Sequence, residues 1–310
     1  MKIKLSNNFL GGLILLSIIL AACNGTSNSS GNQTNITENP TLSGLAYDPL
    51  SKSVYSVDQS GVLCKLALQN VPGKMSCNLT VPNNIIISSQ VVSDNQGNIY
   101  ALGSQATTES NFILKYQTQT NTWTVNNIDI PFVMSFSKLL YRQGQLYLAD
   151  PNESALYTIQ LATNQLESVP DFFIPGPATI EDFDQSGNLY FSYQLNTESN
   201  FRTVTTTQVY LTPLGSSATP GIKFGADNKN INDLVYIKNT AYACAESDFL
   251  YLPADSSANA NWQILTNSAE SGYFSCDYLT TDGNNLYYVE GQWGSENSFS
   301  NNYVNTIKIQ

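Results

Sequence analysis

Histidine is absent from this chain, and positive charge is scarce. The 310 residues include 13 lysines and arginines against 24 aspartates and glutamates, which gives a net charge of −11. A chain without imidazole cannot assemble Ser-His-Asp or Cys-His catalysis, nor the usual histidine metal sites. Nucleic-acid and anionic-membrane surfaces need clustered lysine and arginine, and the only guanidinium groups are those of Arg142 and Arg202. We therefore expect no nucleic-acid partner.

Two further features are missing from the sequence. It contains no glycine-rich loop with a lysine that would hold a phosphate. No segment after residue 23 combines helical periodicity with helix caps, so the remainder of the chain is predicted to be all-β. Acid–base chemistry by carboxylates alone, as in glycosidases, stays open, because acidic residues by themselves do not identify a catalytic pair.

Only the N-terminus carries a long apolar run. It extends from Phe9 to Ala22 and follows Lys2 and Lys4. The run is shorter than the ~20 residues that span a bilayer. A basic start before a short apolar core is typical of a secretory signal.

The signal ends in Leu20-Ala21-Ala22-Cys23, which resembles the lipobox of bacterial lipoproteins. The resemblance implies cleavage before Cys23 and acylation of Cys23, so that the protein meets the membrane only through its lipid anchor. Asn24 stands where an aspartate would retain an enteric lipoprotein at the inner membrane, and this favours the outer membrane. The alternative is an ordinary signal peptide followed by a chance cysteine.

The segment from Asn24 to Thr41 consists mostly of Asn, Ser, Thr and Gly. Such a segment buries too little apolar surface to fold, so it is predicted to be a flexible tether. The expected organisation is a signal peptide at 1–22, an acylated cysteine with its tether at 23–41, and one monomeric domain at 42–310. Loss of the signal would leave 11 basic and 24 acidic side chains, a net charge of −13 that favours solubility.

A short turn-then-strand pattern, Gly-Asn-Leu-Tyr or a looser variant, recurs through the domain. It ends in a tyrosine about every 45 residues, and a period of this size with several short strands is the mark of a β-propeller blade. The six tyrosines are Tyr55, Tyr100, Tyr147, Tyr190, Tyr242 and Tyr287. Turns such as Asp94-Asn95-Gln96-Gly97 precede the tyrosine strands. In these turns Asp should accept local backbone hydrogen bonds and Gly should supply a positive φ.

Six units predict an all-β, six-bladed β-propeller whose repeated tyrosines pack in the core or between blades. The blades are expected near 42–82, 83–131, 132–175, 176–225, 226–270 and 271–310. In the second blade, the strands are expected at Ile86–Ser93, Asn98–Leu102, Phe112–Gln117 and Thr122–Ile128. The sixth unit ends at its third strand, so we expect Thr34–Pro40 to cover the open edge as a fourth strand.

Four cysteines remain after Cys23, and an even number in an exported protein indicates disulfides. Of the three possible pairings we favour Cys64–Cys77 with Cys244–Cys276. The first two lie in strand-like segments that flank a turn almost symmetrically, and the other two would join the fifth blade to the sixth. The alternative is four unpaired, buried thiols. Acylated or bridged cysteines would not act as thiol nucleophiles.

The Asp-x-x-Gly-Asn-[Leu/Ile]-Tyr repeats resemble those of the NHL and SMP-30-like propeller superfamily. The resemblance covers the whole domain but rests on turn residues, so it implies a fold far more than an activity. The chain contains no copy of a catalytic or metal-binding set of that superfamily, and no such residue is transferred to it.

The connections between the second and third strands of blades two, four and six share a pattern of Gln, three residues, Glu, two residues and Phe. Three such loops on one face of a ring would have pseudo-threefold symmetry, and loops on a rigid scaffold often carry function. The predicted ligand-binding residues are Gln105, Glu109, Gln194, Glu198, Gln292, Trp293 and Glu296. Their oxygens suit a cation such as Ca²⁺, and with the tryptophan they suit sugar hydroxyls. The alternative is that the Glu and the small polar residues cap the loop's own backbone while Phe anchors it.

The sequence therefore favours a lipid-anchored binding or scaffolding protein of the bacterial cell envelope, without a required cofactor, whose partner is a protein or a glycan. The alternative function is a calcium-assisted hydrolase or lyase of the SMP-30-like kind. That alternative rests on analogy of fold, which is poor evidence for an activity.

Overall fold

A computed structural model describes residues 41–309 with short gaps. The gaps are 106–109, 131–137, 151–154, 171–178, 185, 200–201, 214–221, 227–230, 246–247, 254, 258, 268–273 and 294–298. Within the described ranges, none of the helices has the length and apolar character that a bilayer-crossing helix requires. Cys23 and the segment proposed as a tether lie outside the described residues.

The described strands form six antiparallel sheets, and each sheet is one blade. The strands of blades one and two are β1 (Leu42–Asp48), β2 (Ser53–Asp58), β3 (Leu63–Ala67), β4 (Gly73–Lys74), β5 (Ser76–Leu79), β6 (Ile86–Ile87), β7 (Val92–Ser93), β8 (Asn98–Gln105), β9 (Ser110–Gln117) and β10 (Thr122–Ile128). Two short 3₁₀ helices, Leu68–Asn70 and Pro82–Asn84, accompany them. In the second blade the predicted first strand is divided into β6 and β7, which both pair with β8.

The other four blades follow the same inner-to-outer order, apart from the outer strand of the sixth. Blades three and four contain β11 (Lys138–Arg142), β12 (Gln145–Asp150), β13 (Ala155–Gln160), β14 (Gln165–Ser168), β15 (Thr179–Phe183), β16 (Asn188–Ser199), β17 (Arg202–Pro213) and β18 (Ile222–Lys223). Blades five and six contain β19 (Ile231–Ile237), β20 (Thr240–Ala245), β21 (Asp248–Pro253), β22 (Gln263–Asn267), β23 (Phe274–Thr281), β24 (Asn285–Trp293) and β25 (Phe299–Lys308).

The six innermost strands close a ring. Each contacts the innermost strands of the two adjacent blades, and β23 of the last blade contacts β1 of the first. The chain is therefore a six-bladed β-propeller, as its period predicts. Its core is distributed between the blades, where the repeated tyrosines lie. Five of the six are buried, and the half-buried Tyr147 packs against Phe183 with 5.1 Å between the ring centroids.

The Asp-x-x-Gly-Asn turns have the predicted local structure. The Oδ1 atom of Asp184 accepts the backbone N–H of Asn188 at 2.8 Å, and its Oδ2 atom accepts the Asn188 side-chain amide at 2.6 Å. Asp94 makes the same two bonds to Asn98. Gly187 has a φ of +95°, which a residue without a side chain adopts at little cost. The Asp, Gly and Asn residues recur because they form the hydrogen bonds and the backbone conformation of the turn.

These turns also fix each blade to the one before it. The Arg142 guanidinium of blade three lies where a side chain on Gly187 of blade four would begin, and it stacks 5.7 Å from the centre of the Phe183 ring. Leu50 of blade one occupies the corresponding position beside Gly97 of blade two. The glycine thus serves the turn and also leaves room for the neighbouring blade.

Both predicted disulfides are present. Cys64 and Cys77 are bonded and face each other across the β3–β5 pair. Cys244 of β20 is bonded to Cys276 of β23, which joins blade five to blade six. The alternative of four unpaired thiols is wrong.

The closure predicted for the sixth blade is corrected by the structure. Its fourth strand is β4 from the first blade, which pairs with Tyr303 and Val304 of β25. The segment Thr34–Pro40, which was expected there, lies outside the described residues. The physical reason is proximity: the connection between β3 and β5 already lies beside the neighbouring blade six and carries apolar residues into the seam between the two blades.

Candidate functional site

The six innermost strands surround a central cavity of about 200 Å³. Its charged lining residues are Lys138, Asp182 and Asp233, and uncharged polar residues such as Tyr47, Asn95 and Tyr141 complete the wall. The free edge of an innermost strand has no further strand to pair with, so its backbone groups need other partners.

Two aspartates supply such partners. The register of β15 shifts just before Asp182, and that of β19 shifts just before Asp233. A β-bulge of this kind re-aims the side chain that follows it. Asp182 accepts the N–H groups of Phe183 at 2.8 Å and of Tyr236, in the next blade, at 3.1 Å.

Asp233 repeats the arrangement one blade further on. It accepts the N–H of Leu234 at 3.0 Å and that of Leu279, in blade six, at 2.8 Å. The two carboxylates therefore join the inner edges of blades four, five and six.

An ion pair crosses the ring at the same level. The Nζ atom of Lys138 in blade three lies 3.3 Å from Oδ1 of Asp233 in blade five, and both side chains are largely buried. Tyr278 of blade six is hydrogen-bonded to Ser43 of blade one nearby, and burial is the main cause that raises its pKa. Together, the side chains of Ser43, Lys138, Asp233 and Tyr278 form a polar layer across the centre of the ring.

The charge of Asp182 is costly where it lies. Burial raises the pKa of its carboxyl from 3.8 to about 6. The two backbone N–H bonds and the Lys138 ammonium act against that rise, and the Asp233 carboxylate adds to it. Asp182 therefore titrates in a mildly acidic range rather than near pH 4.

The cavity lies toward one end of the ring. Thr281, at the end of β23, pairs with Leu286 beside the turn, while Phe274, at its start, pairs with Gln292 near the tip of the β24–β25 hairpin. We call these the turn end and the hairpin end of the ring. In blades one and six the cavity is lined by the last residues of the innermost strand, including Tyr47 and Thr281. It is thus displaced toward the turn end.

The described members of the predicted ligand-binding set belong to the opposite end. Glu109 and Glu296 lie outside the described residues. Gln105 ends β8, and its side-chain amide donates to the Asn83 carbonyl at 3.1 Å. The remaining four are placed by their backbone: Gln194 and Glu198 in β16, and Gln292 and Trp293 in β24.

The structure extends these predicted loops into strands, to different lengths in the three blades. The β16–β17 hairpin is paired as far as Ser199 and Arg202, whereas β8 and β9 have eight residues each. Among the described residues, the innermost strand β15 pairs with β16 as far as Ser192. The described strands of the three hairpins therefore differ in length, although the hairpins share a sequence pattern.

Sequence reasoning missed the cavity residues. Asp182 and Asp233 stand one blade period apart, but the recurring Gly-Asn-Leu-Tyr pattern does not include them, and Lys138 has no counterpart in it. An aspartate inside an apolar strand was the available signal, since such a residue needs a partner when it is buried.

Comparisons with known proteins agree with the fold. No protein-family model matches the chain, and no curated protein sequence matches it significantly. Among solved structures, YjhT has a TM-score of 0.52 at 11% identity, covering 87% of this chain and 98% of its own. A putative oxidoreductase (glucose dehydrogenase) from Thermus thermophilus has a TM-score of 0.51 at 12% identity, covering 87% and 97%. YCF48 from Cyanidioschyzon merolae has a TM-score of 0.50 at 10% identity, covering 85% of each chain. At such identities these likenesses show the fold alone.

Proposed function

We propose that this protein is a lipid-anchored β-propeller of the bacterial cell envelope that binds a protein partner at the hairpin end of its ring. The observation that carries the proposal is the β16–β17 hairpin, whose two paired strands of twelve residues each are the longest among the described strands. Long hairpins that end in loops on a rigid ring are suited to recognition.

The properties of the central cavity indicate that a ligand binds at another part of the ring. Its volume of about 200 Å³ is below the roughly 300–1,000 Å³ of most small-molecule sites. Asp182 and Asp233 each accept two backbone N–H groups, and Asp233 also pairs with Lys138. These charges serve the ring itself, which favours a scaffold over a catalytic pocket.

The proposed anchor would connect to the ring at its hairpin end. Strand β1 begins with Leu42 at the hairpin end, so a chain from an acylated Cys23 would enter the ring there. A flexible tether of the intervening residues has an average span of about 25 Å.

The test removes three predicted ligands together. Replacing Glu109, Glu198 and Glu296 by alanine should release a partner that crosslinks to the wild-type protein in intact cells. The control removes acidic charge away from the hairpin end, through alanine at the exposed residues Glu167 and Asp255. Equal capture by both variants would reject the hairpin end as the binding surface. Loss of capture after glycosidase treatment of the cells would identify the partner as a glycan instead of a protein.

A further inference from the structure

The ring is closed by residues 68–75, a segment between β3 and β5 of the first blade that reaches the sixth blade. We call this segment the clasp. Its strand β4, Gly73–Lys74, is the outer strand of blade six and pairs with Tyr303 and Val304 of β25. The clasp also contributes apolar side chains, including Met75, to the core between blades six and one. This contact joins two segments more than 200 residues apart.

The Cys64–Cys77 disulfide sits at the base of the clasp. Cys64 on β3 lies opposite Cys77 on β5, so the bridge closes a loop that contains the whole clasp. A bridge of this kind restricts the conformations open to the loop between its two ends. Because β4 pairs with β25 through only two residues, this restriction holds a weak contact in place.

The two disulfides differ in their surroundings. Cys244 and Cys276 are both fully buried, whereas Cys77 is half-buried. Thiol–disulfide exchange needs a thiolate to reach a sulfur atom, so the bridge at the clasp is the more accessible one. The Asp58 carboxylate lies within 4.8 Å of both of its sulfurs. Its negative charge slows the attack of an anionic thiolate on this bridge but does not cover the sulfur of Cys77.

We propose that the Cys64–Cys77 disulfide is a redox-sensitive latch for ring closure. A dithiol reductant breaks the S–S bond, Cys64 and Cys77 become thiols, and the reductant becomes a disulfide, so that two electrons and two protons are transferred. The clasp then leaves β25, and the seam between blades six and one opens. The Cys244–Cys276 bridge still holds blade six to blade five, so the opening is confined to one seam.

An open seam has a structural consequence. Without β4, the backbone of β25 at Tyr303 and Val304 loses its outer partner, and a free strand edge pairs readily with other chains. The outer edge of β25 is therefore covered in the oxidised ring and exposed to other chains in the reduced ring.

Hydrogen exchange of the full chain tests the latch. Reduction by a graded series of dithiol concentrations, with each thiol mapped by alkylation, should open Cys64–Cys77 first. Exchange in peptides covering 68–76 and 299–309 should then accelerate at least tenfold, while exchange in β20 and β21 stays unchanged. Prior reduction of Cys244–Cys276, or unchanged exchange in 299–309, would overturn the proposal.

Two variants separate the bridge from the clasp. The double variant Cys64→Ser, Cys77→Ser should show the fast exchange without reductant, whereas Cys244→Ser, Cys276→Ser should not show it in 68–76. Gly73→Ala keeps the bridge but places a methyl group against the Asn70 carbonyl, so it should open the same seam in oxidised protein. Fast exchange in Gly73→Ala together with slow exchange in the Cys64/Cys77 variant would show that the bridge does not latch the clasp.

Discussion

The buried Asp182 carboxyl predicts an unusual dependence of stability on pH. Its pKa in the folded protein is about 6, against an ordinary value of 3.8. An acid whose folded-state pKa is raised binds protons more tightly when folded. Its contribution to stability is therefore largest below pH 4 and falls as the pH rises to 6. The difference in pKa corresponds to about 3 kcal/mol of unfolding free energy.

Replacing Asp182 by asparagine removes this titration. At pH 7 the variant no longer buries a charge, but its amide nitrogen cannot accept one of the two N–H groups from Phe183 and Tyr236. An unsatisfied buried donor costs about 1–3 kcal/mol, so the two effects nearly cancel and the stability at pH 7 changes little. Between pH 4 and pH 7, however, the wild type should lose about 2.4 kcal/mol relative to the variant, because part of the full change already occurs below pH 4.

Urea denaturation at half-unit pH intervals measures this difference directly. Subtracting the variant curve from the wild-type curve leaves the contribution of Asp182, including its electrostatic interactions with Lys138 and Asp233. Asp129→Asn, at an exposed aspartate, serves as the control and should run parallel to the wild type. A difference curve for Asp182→Asn that is flat from pH 4 to pH 7 would refute the reasoning.

Two further substitutions test the packing of the ring. Gly187→Ala should lower the unfolding free energy by about 2 kcal/mol, because the strain of a positive φ adds to the loss of the contact between the displaced Arg142 guanidinium and the Phe183 ring. Gly144→Ala has a similar φ but open space around it, so it should cost only about 1 kcal/mol; equal losses would contradict the packing argument. Lys138→Met should cost about 3 kcal/mol, because Asp233 is left with an unpaired buried charge. Adding Asp233→Asn should recover part of that loss in the double-mutant cycle, and strict additivity would show that the pair is not coupled.

Local features of this fold could be predicted from the sequence. The Asp94–Asn98 and Asp184–Asn188 turns are closed by hydrogen bonds between residues four positions apart. Their structure therefore depends on the local sequence alone. The pairing of Cys64 with Cys77 follows from their near-symmetrical positions around one turn. The repeated tyrosines indicate the blades because five of the six blades bury this position and the third half-buries it.

Features that depend on the closed ring could not be predicted. The pairing of β4 with β25 joins two residues of the first blade to the last one, and no repeat marks it. Asp182 and Asp233 acquire their partners only when the next blade lies beside them. The length of the β16–β17 hairpin was also hidden, since its Gln, Glu and Phe pattern is shared with shorter hairpins.

Site-specific photocrosslinking in intact cells tests the proposed function most directly. A photoreactive residue at position 194 places the probe on β16 at the hairpin end, and one at position 95 places it beside the cavity at the turn end. The account predicts a defined protein crosslinked from position 194, absent from position 95, and lost when Cys23→Ser prevents acylation. A partner crosslinked only from position 95, or one captured equally without the anchor, would contradict it.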